Sequence, residues 1–158
     1  MLLSTLEDRI NLIEKEEKDN RPSWGQTFME IAKVIAKRSK DPHTKVGAVL
    51  VKNNCIIGTG YNGDPRNFKY KFNWNTEEKY KYVIHAEMNA VANACYNGCE
   101  IKGSDIYLTL SPCNECIKLL LQFGIRNIYY LTEYKDFKLT QMIAKNSNIN
   151  LIKFEELK

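Results

Sequence analysis

The sequence lacks long apolar runs, and it is poor in histidine. The run from Ile31 to Ile35 is already broken by Lys33, and no stretch approaches the roughly 20 apolar residues of a membrane-spanning helix. Only two histidines, His43 and His85, are present. These shortages exclude a membrane-spanning helix and a histidine-rich metal site.

Neither sign of charge dominates the chain. Its 158 residues include 23 basic and 19 acidic side chains, a net charge of +4. This excess allows an anionic ligand such as a nucleotide phosphate, and it is equally compatible with a surface that has no charged partner. It is too small and dispersed to predict a nucleic-acid-binding stripe. Hydrophobic residues at 44% and charged residues at 27% exclude a disordered or collagen-like chain.

Five cysteines, an odd number, argue against a disulfide framework. The first residues carry Glu7 and Asp8, where a secretory signal would carry basic residues and a long apolar block. We therefore expect a soluble, cytoplasmic protein whose cysteines are free thiols or metal ligands.

Hydrophobic periodicity predicts an α/β protein. Residues 1–20 are expected to form an N-terminal helical extension, with a helix over 4–18, and residues 21–158 a single domain without repeats or linkers. Within the domain we predict a helix that begins at Ser23 and is stopped by Asp41-Pro42, an antiparallel hairpin, and then alternating helices and strands. The strands are predicted over 46–51, 55–61, 105–110, 128–131 and 150–154, and the later helices after 85, over 113–123 and over 137–146. The alternation favours a three-layer α-β-α fold with a mixed five-stranded sheet, its N-terminal hairpin antiparallel and its later strands parallel.

Cys113 and Cys116 lie three residues apart at a predicted helix start. Residues at this spacing share one helix face, and the helix N-terminus favours the thiolate form that binds zinc. With His85 they make a Cys₂His set, whose two thiolates neutralise a divalent cation. The pair alone is also compatible with a redox site or with a structural zinc site, which usually has a fourth protein ligand. Three further cysteines are interpreted as packing or incidental thiols: Cys55, Cys95 and Cys99.

His85 and Glu87 are separated by one residue near a predicted helix start. On a regular helix their side chains diverge by about 200°, so they can serve one site only beyond the helix N-terminus. There the histidine would bind a metal, and the glutamate would take and return a proton of a metal-activated water. The alternatives are a structural histidine and a glutamate that merely complements the helix dipole.

The conjunction of His85-Ala86-Glu87 with Pro112-Cys113-Asn114-Glu115-Cys116 is the motif pair of zinc nucleobase deaminases. From about Ser23 to Phe154 the sequence resembles that superfamily, and within it the deoxycytidylate (dCMP) deaminases. The further segments that carry this resemblance are Arg38-Ser39-Lys40-Asp41-Pro42, Val46-Gly47-Ala48 and Gly60-Tyr61-Asn62-Gly63. The resemblance implies a cytidine-deaminase-like fold and one zinc-dependent deaminase domain over 21–158.

The resemblance also implies an activity, the hydrolytic deamination of dCMP to dUMP and ammonia in pyrimidine deoxynucleotide metabolism. One zinc ion per chain would be held by His85, Cys113 and Cys116, and no organic cofactor is expected. Water on the zinc would attack C4 of cytosine, and Glu87 would protonate N3 and then the leaving ammonia. The alternatives are another cytosine nucleotide or nucleoside, a tRNA adenosine, or a non-catalytic zinc-stabilised binding module.

For substrate binding, the resemblance points to Asn62 at the sugar, to the Ala86 backbone N–H at the pyrimidine carbonyl and to Tyr134 as a pocket aromatic. Thr44 and Lys45 are expected at the mouth of the pocket, near the phosphate, together with Arg66 and Lys69. The resemblance further implies a homo-oligomer, a hexamer, with dCTP and dTTP as effectors. The residues expected at the effector site are Asn62, Gly63 and Arg66.

Overall fold

The computed structural model describes residues 5, 6 and 21–155. Apart from Thr5 and Leu6, the helix predicted over 4–18 lies outside the described residues. In chain order the described elements are α1 (Trp24–Ala36), β1 (Gly47–Lys52), β2 (Cys55–Tyr61), a 3₁₀ helix (Glu77–Lys81), α2 (Ala86–Tyr96), β3 (Asp105–Leu110), α3 (Asn114–Gln122), β4 (Asn127–Thr132), α4 (Phe137–Lys145) and β5 (Asn150–Lys153). The α-helices and strands follow the predicted order, and the 3₁₀ helix between β2 and α2 was not predicted.

The predicted start of α1 is confirmed by a capping box. The Ser23 Oγ accepts a hydrogen bond from the Gln26 N–H at 3.2 Å, and the Gln26 Oε1 accepts one from the Ser23 N–H at 2.7 Å. The helix ends at Ala36, earlier than the predicted stop at Asp41-Pro42. After Ala36 the backbone continues in tighter turns, in which the Arg38 N–H donates to the Ile35 carbonyl and the Ser39 N–H to the Ala36 carbonyl, each at 3.0 Å. The Ser39 hydroxyl donates to the Asn62 carbonyl at 2.8 Å, which ties this segment to the end of β2.

The strands form one sheet in the order β2-β1-β3-β4-β5. β1 is antiparallel to both β2 and β3, whereas β3, β4 and β5 are parallel. The hairpin turn between β1 and β2 places Asn53 and Asn54 at φ 51° and 57°, a conformation that asparagine tolerates and that two-residue hairpins require. The predicted mixed five-stranded sheet is confirmed.

Helices cover both faces of the sheet, which gives the predicted three layers. Phe28, Met29 and Ala32 of α1 pack against Val49 and Tyr107 on one face. The helices α2, α3 and α4 form the larger core on the other face, with buried side chains of β1, β3 and β4. Among the described residues, none of the helices has both the length and the apolar character to cross a membrane.

The segment between β2 and α2 shows no periodicity in the sequence, yet it contains the 3₁₀ helix Glu77–Lys81. After this helix the chain returns to the main body through a two-residue bridge. Gly63 donates to the Ile84 carbonyl at 3.1 Å, and Ile84 donates to the Gly63 carbonyl at 2.9 Å. The bridge fixes the backbone immediately before His85.

Candidate active site

His85 and Glu87 lie at the N-terminus of α2. His85 is the N-cap residue, with extended backbone angles of φ −66° and ψ 153°, and Glu87 belongs to the first helical turn. The divergence that a regular helix would impose on the two side chains is therefore avoided, because His85 precedes the helix proper. Ala86 is the first helical residue, so its N–H has no acceptor within the helix.

The two cysteines occupy the matching place on α3. Cys113 is the N-cap residue and Cys116 lies in the first turn, where it is 4% exposed. The buried Thr140 of α4 holds this turn in place, since its hydroxyl contacts the Pro112 carbonyl at 3.2 Å and the Asn114 Oδ1 at 3.1 Å. Both helix N-termini present partial positive charge, which favours thiolates at this end of the sheet.

The three side chains form a cluster with the dimensions of a zinc site. The Nδ1 of His85 lies 3.5 Å from the Sγ of Cys113 and 3.4 Å from the Sγ of Cys116. A tetrahedral zinc ion, about 2.0–2.1 Å from nitrogen and about 2.3 Å from sulfur, would separate these atoms by about 3.5 Å. Within residues 5, 6 and 21–155, no other three His, Cys, Asp or Glu residues are grouped closely enough to hold a metal ion. The donor set and its spacing therefore fit zinc with one coordination position left open.

Protons are shared unequally between the two sulfurs. A hydrogen bond from the Cys116 thiol, opposed by burial and assisted by His85, lowers the pKa of Cys113 to about 3. The same contact between the sulfurs raises the pKa of Cys116. The hydrogen bond with Cys113 is also the largest effect on His85, whose pKa is raised. A thiolate is thus stabilised at Cys113 by its neighbours, and this is the form of cysteine that binds metal.

Glu87 lies beside this cluster without being one of its three members. Its side chain is buried, with 4% of the residue exposed, and burial raises the pKa of its carboxyl above the usual value. Interactions with His85 and with the Cys116 thiol act in the opposite direction. A carboxyl group whose pKa is raised toward neutrality is suited to accept and release a proton during a reaction.

A cavity of about 680 Å³, its open mouth included, leads to the cluster. The cavity brings together most of the side chains that the sequence indicated: Thr44, Asn62, His85, Ala86, Glu87, Cys113 and Tyr134. Apolar and aromatic walls come from Val46, Val83, Leu110 and Tyr80. Cys116 lies behind this surface, in contact with His85.

Asn62 joins the cavity wall to the preceding loop. Its Oδ1 accepts a hydrogen bond from the Val46 N–H at 2.8 Å, and its Nδ2 donates to the Thr44 carbonyl at 2.8 Å. One N–H of the amide and one lone pair of its oxygen remain for a ligand. Tyr134 is held in a similar way, because its backbone N–H donates to the Ser111 Oγ at 2.8 Å.

Four residues expected at the mouth or the effector site do not line this cavity: Lys45, Gly63, Arg66 and Lys69. Lys45 is exposed, and Gly63 forms the bridge to Ile84. Arg66 lies on the outer side of α2, where it donates to the Asn93 Oδ1 at 2.8 Å and stacks 4.0 Å above the Tyr96 ring. Lys69 lines a separate depression with Lys40 and Asp64.

The cavity also contains an ion pair that sequence reasoning missed. The Nζ of Lys79 lies 2.7 Å from the Oδ2 of Asp41, and both residues line the cavity. In the sequence Asp41 indicated the end of a helix and belonged to a segment that resembles the family, but it was assigned no role in the site. Lys79 belongs to the aperiodic segment before α2, where nothing distinguished it from the neighbouring lysines. Only the packing of the 3₁₀ helix against the loop after α1 brings the two charges together.

Comparisons with known proteins agree with this site. A family model described as the cytidine and deoxycytidylate deaminase zinc-binding region matches residues 22–132. The chain is 38% identical over 156 residues to a probable deoxycytidylate deaminase of Drosophila melanogaster, covering 88% of this chain and 76% of that protein. It is 36% identical over 151 residues to the deoxycytidylate deaminase of Mus musculus, with 88% and 84% covered.

A solved structure shares the fold. The dCMP deaminase of the cyanophage S-TIM5, determined in complex with dCMP and dUMP, aligns with a TM-score of 0.72 at 29% identity, covering 85% of this chain and 98% of that chain. The family match runs from the capping box of α1 to the end of β4, and it includes the motif of His85 and Glu87 and the motif of Cys113 and Cys116. The resemblance seen in the sequence is thereby confirmed, and the chain belongs to the cytidine and deoxycytidylate deaminase family.

Proposed function

We propose that this protein is a zinc-dependent hydrolase that converts dCMP to dUMP and ammonia. The observation that carries the proposal is the cluster of His85, Cys113 and Cys116, spaced for zinc, with the buried carboxyl of Glu87 beside it. Relatives that share more than a third of the sequence are named deoxycytidylate deaminases. A structurally similar protein was solved with dCMP and dUMP.

The proposed chemistry exchanges the amino group at C4 of cytosine for the oxygen of water. Zinc, when bound by the three side chains, supplies a Lewis acid that makes water nucleophilic near neutral pH. Glu87 accepts a proton from the attacking water and delivers it to N3 of the ring. The same carboxyl then takes the proton of the new C4 hydroxyl and gives it to the amine, so that the C4–N bond breaks, C4 becomes a carbonyl carbon and ammonia leaves. Burial of Glu87 supports this role, because it brings the pKa of the carboxyl closer to neutrality.

The remaining cavity residues are proposed to orient the nucleotide. The Ala86 N–H, unpaired within its helix, would donate to the pyrimidine carbonyl. The free N–H and lone pair of Asn62 would contact the sugar, and Tyr134 would line the base pocket. Thr44 lies on the same wall as Asn62. Lys45 stays a prediction as a phosphate contact; it is exposed and is not among the residues that line the cavity.

The proposal is tested by measuring ammonia release from the zinc-loaded protein with four substrates. These are dCMP, dCTP, deoxycytidine and a tRNA stem-loop that contains the target adenosine. We expect the largest kcat/KM for dCMP. A larger kcat/KM for any other substrate would contradict the dCMP assignment, and no ammonia from any of them would favour a binding module instead.

We also propose that the protein is a cytoplasmic homo-oligomer, a hexamer, that responds to dCTP and dTTP. The support is the resemblance of the loop Gly60-Tyr61-Asn62-Gly63 to the effector-binding loops of the family. Arg66 lies beside this loop and lines a surface depression with Tyr61 and Asn93, outside the main cavity. Size measurement in solution and assays with each triphosphate would test these points.

A further inference from the structure

Lys79 and Asp41 form a buried ion pair in the wall of the cavity. Their side chains are 8% and 6% exposed, and the Nζ–Oδ2 distance is 2.7 Å. Lysine is rarely buried to this extent unless it is paired. Among the residues that line the cavity, Lys79 is the one Lys or Arg. An anionic group that enters the cavity therefore meets a single cationic side chain on its wall.

The hydrogen bonds of the pair are distributed unevenly. Asp41 has three hydrogen-bond donors. Its Oδ1 accepts from the His43 N–H at 2.9 Å and from the Thr44 N–H at 3.2 Å, and its Oδ2 accepts from the Lys79 ammonium. The Lys79 ammonium has three N–H donors, and the bond to Asp41 uses one of them. The Nζ also lies 5.3 Å from the centroid of the Tyr80 ring, which offers a cation–π contact and no hydrogen-bond acceptor.

The two remaining N–H groups are costly to bury without acceptors. An acceptor can reach them from the cavity, because Lys79 forms part of its wall. Asp41 does not supply these two acceptors, because its carboxylate oxygens already accept three hydrogen bonds, and only one of them comes from Lys79. Phosphate oxygens are the anionic acceptors that a nucleotide substrate would bring, and charge-assisted hydrogen bonds to them are among the stronger ones.

We propose that Lys79, held by Asp41, binds the 5′-phosphate of the substrate and thereby selects nucleotide over nucleoside. This inference rests on the proposed deamination of dCMP. It assigns the selection to a residue of the 3₁₀ helix Glu77–Lys81 and to no residue of the zinc motifs. Asp41 is a positioning residue in this arrangement, because it orients the ammonium without reaching the ligand itself.

The test compares kcat/KM for dCMP with kcat/KM for deoxycytidine in zinc-loaded wild-type protein and in variants. Lys79→Met is expected to lower the ratio of the two values about 10- to 100-fold, the equivalent of one or two charge-assisted hydrogen bonds. Lys79→Arg keeps the charge and is expected to retain most of the ratio. Lys81→Met is the matched control, since it removes an exposed lysine two residues along the same helix.

Several outcomes would overturn the inference. If Lys79→Met leaves the ratio of the two kcat/KM values unchanged, even though both values fall, Lys79 only supports the fold. If Lys79→Met does not fold, the neutral pair Asp41→Asn/Lys79→Met supplies the same ratio without an unpaired buried charge.

Failure of the proposed function is distinguished from failure of this inference. Wild-type protein that deaminates no dCMP contradicts the proposed function. The inference is then judged by whether Lys79→Met abolishes the preference for binding dUMP over deoxyuridine. Turnover of dCMP with a phosphate preference that survives Lys79→Met leaves the function standing and refutes the inference.

Discussion

Glu87 shows how one residue obtains its chemistry from its surroundings. The carboxyl is buried at the N-terminus of α2, beside the sulfur of Cys116 and two positions after His85 in the chain. An exposed glutamate in the first turn of a helix would be ionised and would only complement the helix dipole. Burial raises the pKa of Glu87 instead, and this suits an ordinary helix-start residue to the proton-carrying role that we propose for it.

We predict that Glu87→Gln abolishes deamination and leaves the zinc site intact. The amide keeps the shape of the side chain but cannot exchange protons, so kcat should fall by about 10²- to 10⁴-fold, the usual contribution of general acid–base catalysis. Ammonia release and zinc content are measured on the same preparation. Turnover within tenfold of wild type, at full zinc content, would remove Glu87 from the mechanism.

Asp41 also depends on its neighbours, and its effect on stability should depend on pH. Burial by itself would raise the pKa of this carboxyl, but the bond from Lys79 and the N–H groups of His43 and Thr44 outweigh it and lower the pKa below its usual value. A carboxyl with a lowered pKa stabilises the fold above its unfolded pKa of about 3.9. That contribution is lost as the pH falls through the lower, folded pKa, because the unfolded state then binds more protons.

We therefore predict that Asp41→Asn weakens the dependence of stability on acid pH. The free energy of unfolding, measured by denaturant titration between about pH 2 and pH 7, should fall more steeply below about pH 4 in wild type than in the variant. Other carboxyl groups contribute equally to both proteins and cancel in the difference. Parallel curves for the two proteins would show that Asp41 has no lowered pKa.

At the scale of elements, the position of α2 depends on glycines of β2. A Cβ at Gly60 would lie 2.3 Å from the Ala86 carbonyl oxygen and the Ala90 nitrogen, and one at Gly58 would lie 2.5 Å from the Ala90 carbonyl oxygen. The backbone of the helix therefore rests directly on the strand. Two amides of α2 add to this contact, since Asn89 and Asn93 each donate to a carbonyl of β2 at 2.8 Å.

We predict that Gly60→Ala displaces the first turn of α2 and lowers both stability and activity. Overpacking of this kind costs about 1–3 kcal/mol, and the displaced turn carries His85 and Glu87. Gly98→Ala is a useful control, because Gly98 has φ 73° but nothing lies within 4 Å of its Cβ position. Both variants should unfold at lower denaturant concentration, while kcat should fall only in Gly60→Ala. Full activity in Gly60→Ala would show that the helix tolerates the shift.

At the scale of the whole molecule, the fold gathers the proposed catalytic groups at one end of the sheet. The helices α2 and α3 both lie on the face that carries the larger core, and their N-termini meet at the zinc cluster. That core extends through β1, β3 and β4 without using the three ligands. The fold is thus held by apolar packing along the sheet, and a zinc ion held by His85, Cys113 and Cys116 would join two helix ends that this packing brings together.

We predict that removing zinc with a chelator abolishes activity and leaves the secondary structure in place. Loss of an ion bound only by the folded state lowers the unfolding temperature, but the apolar core on each face of the sheet remains. Far-UV circular dichroism, thermal unfolding and ammonia release are followed before chelation, after it and after zinc is added back. Unfolding at room temperature on chelation would mean that zinc is needed for the fold itself.

The sequence by itself determined the order of the α-helices and strands, the antiparallel hairpin followed by parallel strands, and the zinc-ligand motifs. These features depend on local signals, such as the capping box at Ser23, the turn at Asn53-Asn54 and the spacing of Cys113 and Cys116. Local signals are readable because each involves residues only a few positions apart, whose hydrogen bonds and helix or strand periodicity do not require the rest of the fold.

Only the tertiary structure decided which polar residues meet in the cavity. Lys79 pairs with an aspartate 38 positions away, and Asn62 holds a loop 16 to 18 positions before it. Arg66, expected near the mouth, stacks on Tyr96 instead. Such contacts are set by how the loops after α1 and β2 pack against each other, and the packing of aperiodic segments leaves no repeating pattern in the sequence from which it could be inferred.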